Sequence, residues 1–363
     1  MIYAQTRNDI KLFFLNKAAY ILIIAGLISF SNIKAQEISA GQPLPLFQSD
    51  KVLNLNLEAD FKTVFSNTDD STYFPATISL TDNDGEKRIV DIKIRTRGKT
   101  RRDKDICKFA PLRLKFTKKA TKNTPFEGQK AIKLVTHCNK AAYYEQNTII
   151  EYLIYEAFNV LTDSSFKVRP AIINYIYRSK KADTVQKFAF FIERGKYLAG
   201  RLQGIAIKSE KIHPNRMNPV QTCLMDMFQY MIGNTDYSIY ELHNIIMIGD
   251  SSRRFPPIAI PYDFDWSGLV SAIYAVPHPL INTEKVTERV YRGFKKEPAI
   301  VARTINIFNM KKQEIYQLFE NFELLDDKEK KKSIKYLDGF YSVINDERMV
   351  QIEFFEHARV VHD

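Results

Sequence analysis

"VLNLNLEADF", residues 52–61, alternates apolar and polar side chains one by one. A period of two is what a strand with one buried face requires. Downstream, "ATISL" (76–80), the turn "TDNDGE" (81–86) and "IVDIKIRTRG" (89–98) predict a hairpin. "PLRLKFT" (111–117) and "AIKLVTH" (131–137) continue the alternation. Between the hairpin's second strand and "PLRLKFT" lies a polar, basic loop, "RTRGKTRRDKD" (95–105), with a single glycine.

The period then changes. "EQNTIIEYLIYEAFNVL" (145–161) carries apolar residues at helical spacing, and "PAIINYIY" (170–177) and "KFAFFIE" (187–193) return to strand character. Further on, "PVQTCLMDMFQYMIG" (219–233), "AIVARTINIFN" (299–309), "KKQEIYQLFENF" (311–322) and "KKKSIKYLDGFYSVIN" (330–345) read as helices. Only "HNIIMIG" (243–249) and "FPPIAIPYDFD" (255–265) interrupt them, as a short strand pair. A strand-rich half followed by a helix-rich half predicts an α+β chain of two lobes. The boundary is expected near 195–218, where "GRLQGIAIKSEKIHPNRMNP" has loop composition.

Composition sets the frame. A chain of 363 residues, 45% hydrophobic and 12% aromatic, has ample material for a core and is not a disordered polymer. Lys11 and Lys17 precede the apolar run "AAYILIIAGLISF" (18–30), which "SNIKAQE" follows. This is the pattern of a signal peptide over 1–36, too short for an ordinary membrane span of ~20 residues. An uncleaved membrane anchor is the other reading. Cleavage would leave an exported protein, periplasmic or extracellular. There Cys107 and Cys138 could pair, with Cys223 buried as a small hydrophobe. The net charge of +11 suits anionic ligands or an envelope surface. The basic residues are dispersed and no nucleic-acid motif accompanies them, so nucleic acid is not expected as a partner. The cysteines lack zinc-type spacing.

Chemistry concentrates in two places. In "PYDFDWSGL" (261–269), Asp263 and Asp265 precede the sole tryptophan, Trp266. In "MIGNTDYSIYELHNIIMI" (231–248), Asp236 follows a helix and Asn244 opens a strand. The order is helix, Asp, loop, Asn, strand, turn, strand, Asp. In phosphoryl transfer one carboxylate accepts the hydroxyl proton, while an amide oxygen and a second carboxylate hold magnesium on the phosphates. Each residue also has a plainer role open to it. Asp236 could only stabilise a turn, Trp266 could be core, and His243 without a partner is a poor metal ligand. Two-metal hydrolysis would need more His and Asp ligands than one loop and one strand end supply.

Together, "RTRGKTRRDKDICKFAPLRLKF", "GNTDYSIYELHN" and "PYDFDWSG" resemble the spore-coat CotH family of atypical protein kinases, over roughly residues 90–270. The resemblance implies a two-lobed, atypical protein-kinase-like fold. A strand-rich nucleotide-binding lobe would span 37–200 and a helix-rich catalytic lobe 201–363. It implies an ATP- and Mg-dependent phosphotransferase acting on protein hydroxyl groups. Asp236 would be the catalytic acid-base residue, and Asn244 with Asp263 or Asp265 the magnesium ligands. Arg97, Gly98, Thr100 and Arg101 would cover the nucleotide phosphates. Lys115 or Lys133 would contact those phosphates, oriented by Glu151, and Glu193 would lie near the adenine. Two departures stand out: "RGKT" replaces the family's usual "RGNS", and Asn244 follows Asp236 by eight positions where a protein kinase has five. They favour the alternative, an inactive kinase-like binding module for an envelope or extracellular partner.

Overall fold

Alternation along the first strands decides the architecture of the amino-terminal half. The computed structural model describes residues 41–67, 69, 71–81, 85–178, 183–208, 212–250, 252 and 254–360. The expected signal segment, 1–36, lies outside them, as do positions 82–84 of the first turn. Strands β1 (Leu53–Ala59), β2 (Phe74–Thr81), β3 (Lys87–Thr96), β4 (Leu112–Phe116), β5 (Ala131–Val135), β6 (Val168–Tyr177) and β7 (Thr184–Ile192) form a closed barrel in the order β1-β2-β3-β4-β5-β7-β6. Every pairing is antiparallel except the last. There β1 runs parallel to β6, Leu53 opposite Ala171 through Ala59 opposite Tyr177, and seals the sheet on itself. Inward positions recur at every second residue: Leu53, Leu55 and Leu57; Ala76, Ile78 and Leu80; Val90, Ile92 and Ile94; Ala171, Ile173 and Tyr175. These side chains fill the barrel, as expected for a barrel of this size.

One arc of the barrel is buried on both faces. In β7, Ala189 and Phe191 point inward, while Phe188, Phe190 and Ile192 join a second core with Val135 of β5. That requirement explains the unbroken apolar run "FAFFI". A short helix, α1 (Phe61–Ser66), capped by Asp60, plugs one end with Phe61. The long helix α2 (Ala142–Leu161) covers the doubly buried arc. Then come α3 (Gly195–Arg201), a three-stranded sheet of β8 (Ile205–Ile207), β9 (Ile245–Gly249) and β10 (Ile258–Pro261), and α4 (Pro219–Ile232). Helices α5 (Pro298–Asn321), α6 (Asp327–Ile344) and α7 (Glu347–Gln351) complete the chain.

The two-lobed, kinase-like fold expected from the sequence is therefore incorrect. The amino-terminal strands close into a seven-stranded mixed barrel rather than an open sheet. The second core runs without interruption from the barrel wall through Ile154 and Phe158 of α2 to Phe228, Phe308 and Phe340 of the later helices. An open two-lobed architecture needs a cleft where this core is continuous. The stretch read as a linker contains α3 and β8, and the described residues belong to one compact unit, Ser39–Asp363.

Candidate functional site

A cavity of about 320 Å³ opens where β3 and β5 end and β4 begins, beside the loops that flank the β9–β10 hairpin. Its lining comes from three separate stretches of chain. The loop after β3 supplies Arg97, Gly98, Lys99, Thr100 and Arg101; the loop after α4 supplies Asp236, His243 and Asn244; the end of β10 supplies Asp263, Asp265 and Trp266. The acids of 236 and 263 thus converge across nearly thirty positions.

The basic loop is built in steps. The Arg97 amide extends the β3–β4 ladder by donating to the carbonyl of Pro111, at 2.8 Å. Gly98 then turns the chain with a φ of +93°, a conformation that glycine adopts without a side-chain penalty. A disulfide between Cys107 and Cys138 closes the loop onto the chain after β5, so the expected pairing is present, and Cys223 is buried and free. Asn139 reinforces the link by donating to the carbonyl of Ile106 and accepting from the Lys108 amide. Arg101 is buried: its guanidinium donates to the carbonyl of Thr136 and stands 3.7 Å from the Glu151 carboxylate of α2. Glu151 therefore partners this arginine rather than Lys115 or Lys133.

Asp236 sits in an Asx turn, its amide donating to Asn234 Oδ1 at 3.0 Å. Asn234 is itself tied to Gln229 in the last turn of α4. Arg292 donates to the carbonyls of Thr235 and Tyr237 and holds this loop from outside. The eight-residue spacing to Asn244 is absorbed by a small hairpin. Ser238 and His243 exchange two backbone hydrogen bonds of 3.0 Å, which folds 239–242 outward and returns the chain to Asp236. Asn244, with a φ of +51°, then donates through Nδ2 to the carbonyl and Oδ2 of Asp236, at 2.8 and 2.9 Å. Its own Oδ1 is left for another partner. His243 Nε2 lies 2.9 Å from Asp236 Oδ1.

Asp263 and Asp265 have different surroundings. Asp263 has a φ of +68°, costly for a residue with a side chain, and its amide donates to the Tyr155 hydroxyl of α2 at 2.8 Å. Among the described residues, no group donates a hydrogen bond to its carboxylate. Asp265 is buried and accepts from the Tyr274 hydroxyl at 2.9 Å. Burial, then the negative charge of Asp263, push its carboxyl up to about 6, against the pull of Arg101. Burial likewise raises Glu151, with Asp265 adding to the effect. Lys133 faces out of the barrel, its ammonium 4.6 Å from the centre of the Tyr262 ring. Desolvation and the neighbouring positive Arg97 lower it to about 8, opposed by Asp263.

Neither Lys133 nor Glu151 lines the cavity itself, and two further expected site residues lie elsewhere. Lys115 pairs with Lys93 across β3–β4 and reaches the ring of Tyr73, away from the cavity lining. Glu193 is buried in an ion pair with Arg201, whose Nη2 and Nε stand 3.0 and 3.2 Å from its two oxygens, and it accepts from the Lys167 amide. Arg201 also bonds the carbonyls of Asp163 and Ser165, so this pair ties α3 to the turn after α2. Tyr274, Tyr155, Arg292 and Lys99 are site or supporting residues that sequence reasoning passed over. Only Lys99, inside the basic loop, carried a signal.

The site is rich in hard oxygen donors. Among the described residues no three His, Cys, Asp or Glu side chains could by themselves enclose a metal ion. Asp263, Asp265 and Asn244 nonetheless line the same cavity and bring carboxylate and amide oxygens to it. Also among the described residues, no helix is long and apolar enough to cross a membrane. The sequence matches no protein-family model and no curated protein.

Proposed function

We propose that the protein is an exported ATP- and magnesium-dependent phosphotransferase acting on protein hydroxyl groups. The observation that carries this reading is the meeting of Asp236, Asn244, Asp263 and Asp265 with a glycine-turned arginine loop around one cavity. The reading rests on the chemistry of the site and on the three motifs resembling the CotH family, and takes nothing from a kinase fold.

Asp263 and the Asn244 amide oxygen would hold magnesium, which when bound neutralises charge on the transferring phosphates. Asp263 is preferred over Asp265 because its carboxylate has no other hydrogen-bond donor, whereas Asp265 is engaged by Tyr274. Arg97, Lys99 and Lys133 supply positive charge for phosphate oxygens. Arg101 is committed to Thr136 and Glu151 and acts by fixing the loop. Asp236 is the group to accept the acceptor hydroxyl's proton, oriented by Asn244 on one oxygen and His243 on the other. Trp266 borders the same cavity and offers a flat face to a nucleobase or an acceptor side chain.

A second reading draws on one specific observation. Both oxygens of Asp236 already have partners, which suits a binding module that holds an envelope or extracellular partner without turnover. Incubation with radiolabelled ATP, magnesium and candidate acceptor proteins separates the two. Label transferred by the wild type and lost in Asp236→Ala supports phosphotransfer. Equal labelling by both ends the assignment of Asp236, and nucleotide binding without labelling by either supports the binding module.

A further inference from the structure

The outer face of the barrel beside the candidate site carries an arrangement that folding alone disfavours. The parity that sends Val90, Ile92 and Ile94 of β3 inward turns Lys93 and Arg95 outward. Inward Leu112 and Leu114 of β4 do the same for Arg113 and Lys115. The register then sets these cations directly against one another. Lys93 is opposite Lys115, Arg95 is opposite Arg113, and Arg113 is in turn opposite Lys133 of β5. Like charges facing each other across strands destabilise a sheet. Two adjoining rungs of them indicate a demand other than stability.

The acids close to this face do not balance it. Asp91 is the only acidic residue in β2, β3, β4 and β5, and it accepts from the Thr77 hydroxyl on the β2 side. It precedes Lys93 on the same face and offsets part of that charge. The four cations of β3 and β4 set against it still leave a clear positive excess. The connection 117–130 adds four lysines and one glutamate, Glu127, which accepts from the Asn123 amide. At the other end Asp263 attracts Lys133, so that lysine and Arg97 belong to the charge balance of the cavity. Arg95 is held in place, donating to the carbonyl of Thr96 and standing 5.4 Å from the centre of the Tyr73 ring. The Lys115 ammonium lies over the same ring. Among the described residues, the buried Nε of Arg95 has no hydrogen-bond partner.

The spacing selects a linear partner. Lys93, Arg95 and Arg97 follow at every second position, ~6.6 Å apart, and the last of them lines the candidate active site. An extended polypeptide presents its alternate side chains at the same repeat. We infer that the outer face of β3 and β4 is a docking strip for an acidic polypeptide segment, leading into the candidate active site. Carboxylates at alternate positions meet Lys93 and Arg95 along β3, while Arg113 and Lys115 take those on the flank, the arginines through their planar forks. The binding itself does not depend on phosphotransfer. Naming the segment as part of the acceptor protein, with its hydroxyl side chain delivered to Asp236, rests on the proposed function.

Fluorescence anisotropy of a labelled, alternating glutamate–alanine peptide, with the full chain at low salt, tests this directly. Saturable binding is expected, weakened at least ~tenfold in Lys93→Glu/Lys115→Glu, because juxtaposed like charges are strongly unfavourable. Lys331→Glu/Lys335→Glu on α6 changes the net charge equally and should leave binding within about twofold of wild type. Lys93→Gln/Lys115→Gln removes charge without reversing it and should weaken binding about threefold or more. A glutamine–alanine peptide should not bind. Equal loss in both glutamate variants would reduce the effect to net charge and overturn the strip. Absence of binding by wild type, or undiminished binding by the glutamine variant, would overturn it too. Tighter binding of a sulfated glycan than of the peptide, lost in the same glutamate variant, would replace the polypeptide by a polysaccharide and also defeat the inference. All of these are read without ATP, so failure here leaves the labelling test of phosphotransfer untouched.

Discussion

Two carboxylates two positions apart, Asp263 and Asp265, are asked to do different things. Asp265 is buried, bonded to Tyr274 and near Arg101, whereas Asp263 presents an unengaged carboxylate from a left-handed backbone position. Magnesium with ATP should raise the melting temperature of the wild type, since a ligand bound only by the native state at a hundred times its Kd adds about 2.7 kcal/mol. Asp263→Asn should abolish most of that increase, and Asp265→Asn should keep at least half. Wild-type behaviour in both would remove the cation from this site. A second acid makes a prediction about pH. Asp226 in α4 is buried, accepts one bond from the Tyr237 hydroxyl, and has a second oxygen without a partner. Burial pushes it up from 3.8 to about 6, against the attraction of Lys296. Its protonated form is the one the fold prefers, so its contribution is full below pH 4 and is lost as pH rises through 6. That loss amounts to about 3 kcal/mol at most. Asp226→Asn should flatten the decline in stability between pH 4 and 7, measured by urea unfolding. An unchanged slope would show that Asp226 is ionised throughout.

At the scale of elements, the basic loop after β3 is the one most dependent on a covalent support. Its residues 97–106 include a glycine turn and a single 3₁₀ turn, Thr100–Arg102, and the Cys107–Cys138 disulfide fastens it to the end of β5. Closing a loop of about this length stabilises a protein by roughly 2–4 kcal/mol. Cys107→Ser/Cys138→Ser should lower stability by about that amount and speed amide exchange over 97–109, leaving β4 and β5 protected. A uniform rise in exchange would mean that the bond supports the whole barrel and not this loop. The strands flanking the loop were legible because alternation is local: Leu53, Leu55 and Leu57 disclose their common face without any partner. The site lysines were not legible in the same way. Lys115 and Lys133 sit in equally alternating strands, and only the identity of the neighbour, Tyr73 for one and Tyr262 for the other, separates them. Glu193 looked available because its partner Arg201 lies on a helix hidden in a loop-like sequence. The unusual spacing of Asp236 and Asn244 needed the Ser238–His243 bridge, which leaves no pattern that propensity can read.

Over the whole molecule, the feature that sequence reasoning missed is the closure of the barrel. It depends on β1 and β6 pairing in parallel across more than a hundred residues, and a parallel register between distant strands has no local signature. Closure also decides how the helices attach. The outer faces of β5 and β7 pack directly into α2, and the same core continues to α4, α5 and α6. A fold joined this way should lose its barrel and its helices together. Phe228 in α4 is a suitable probe, being fully buried, 4.6 Å from the ring of Phe158 and 5.8 Å from that of Phe264. Phe228→Ala should cost about 3–5 kcal/mol. The unfolding midpoint reported by the fluorescence of Trp266, beside the candidate site, and that reported by hydrogen exchange in β2, on the far side of the barrel from α2, should shift together. A barrel that keeps its wild-type midpoint while the Trp266 transition moves would show that the continuous core does not couple the two halves. Phe228 belongs to the second core and the inward residues of β2 to the barrel core, so a common shift would have to pass between the two across the doubly buried strands β5 and β7.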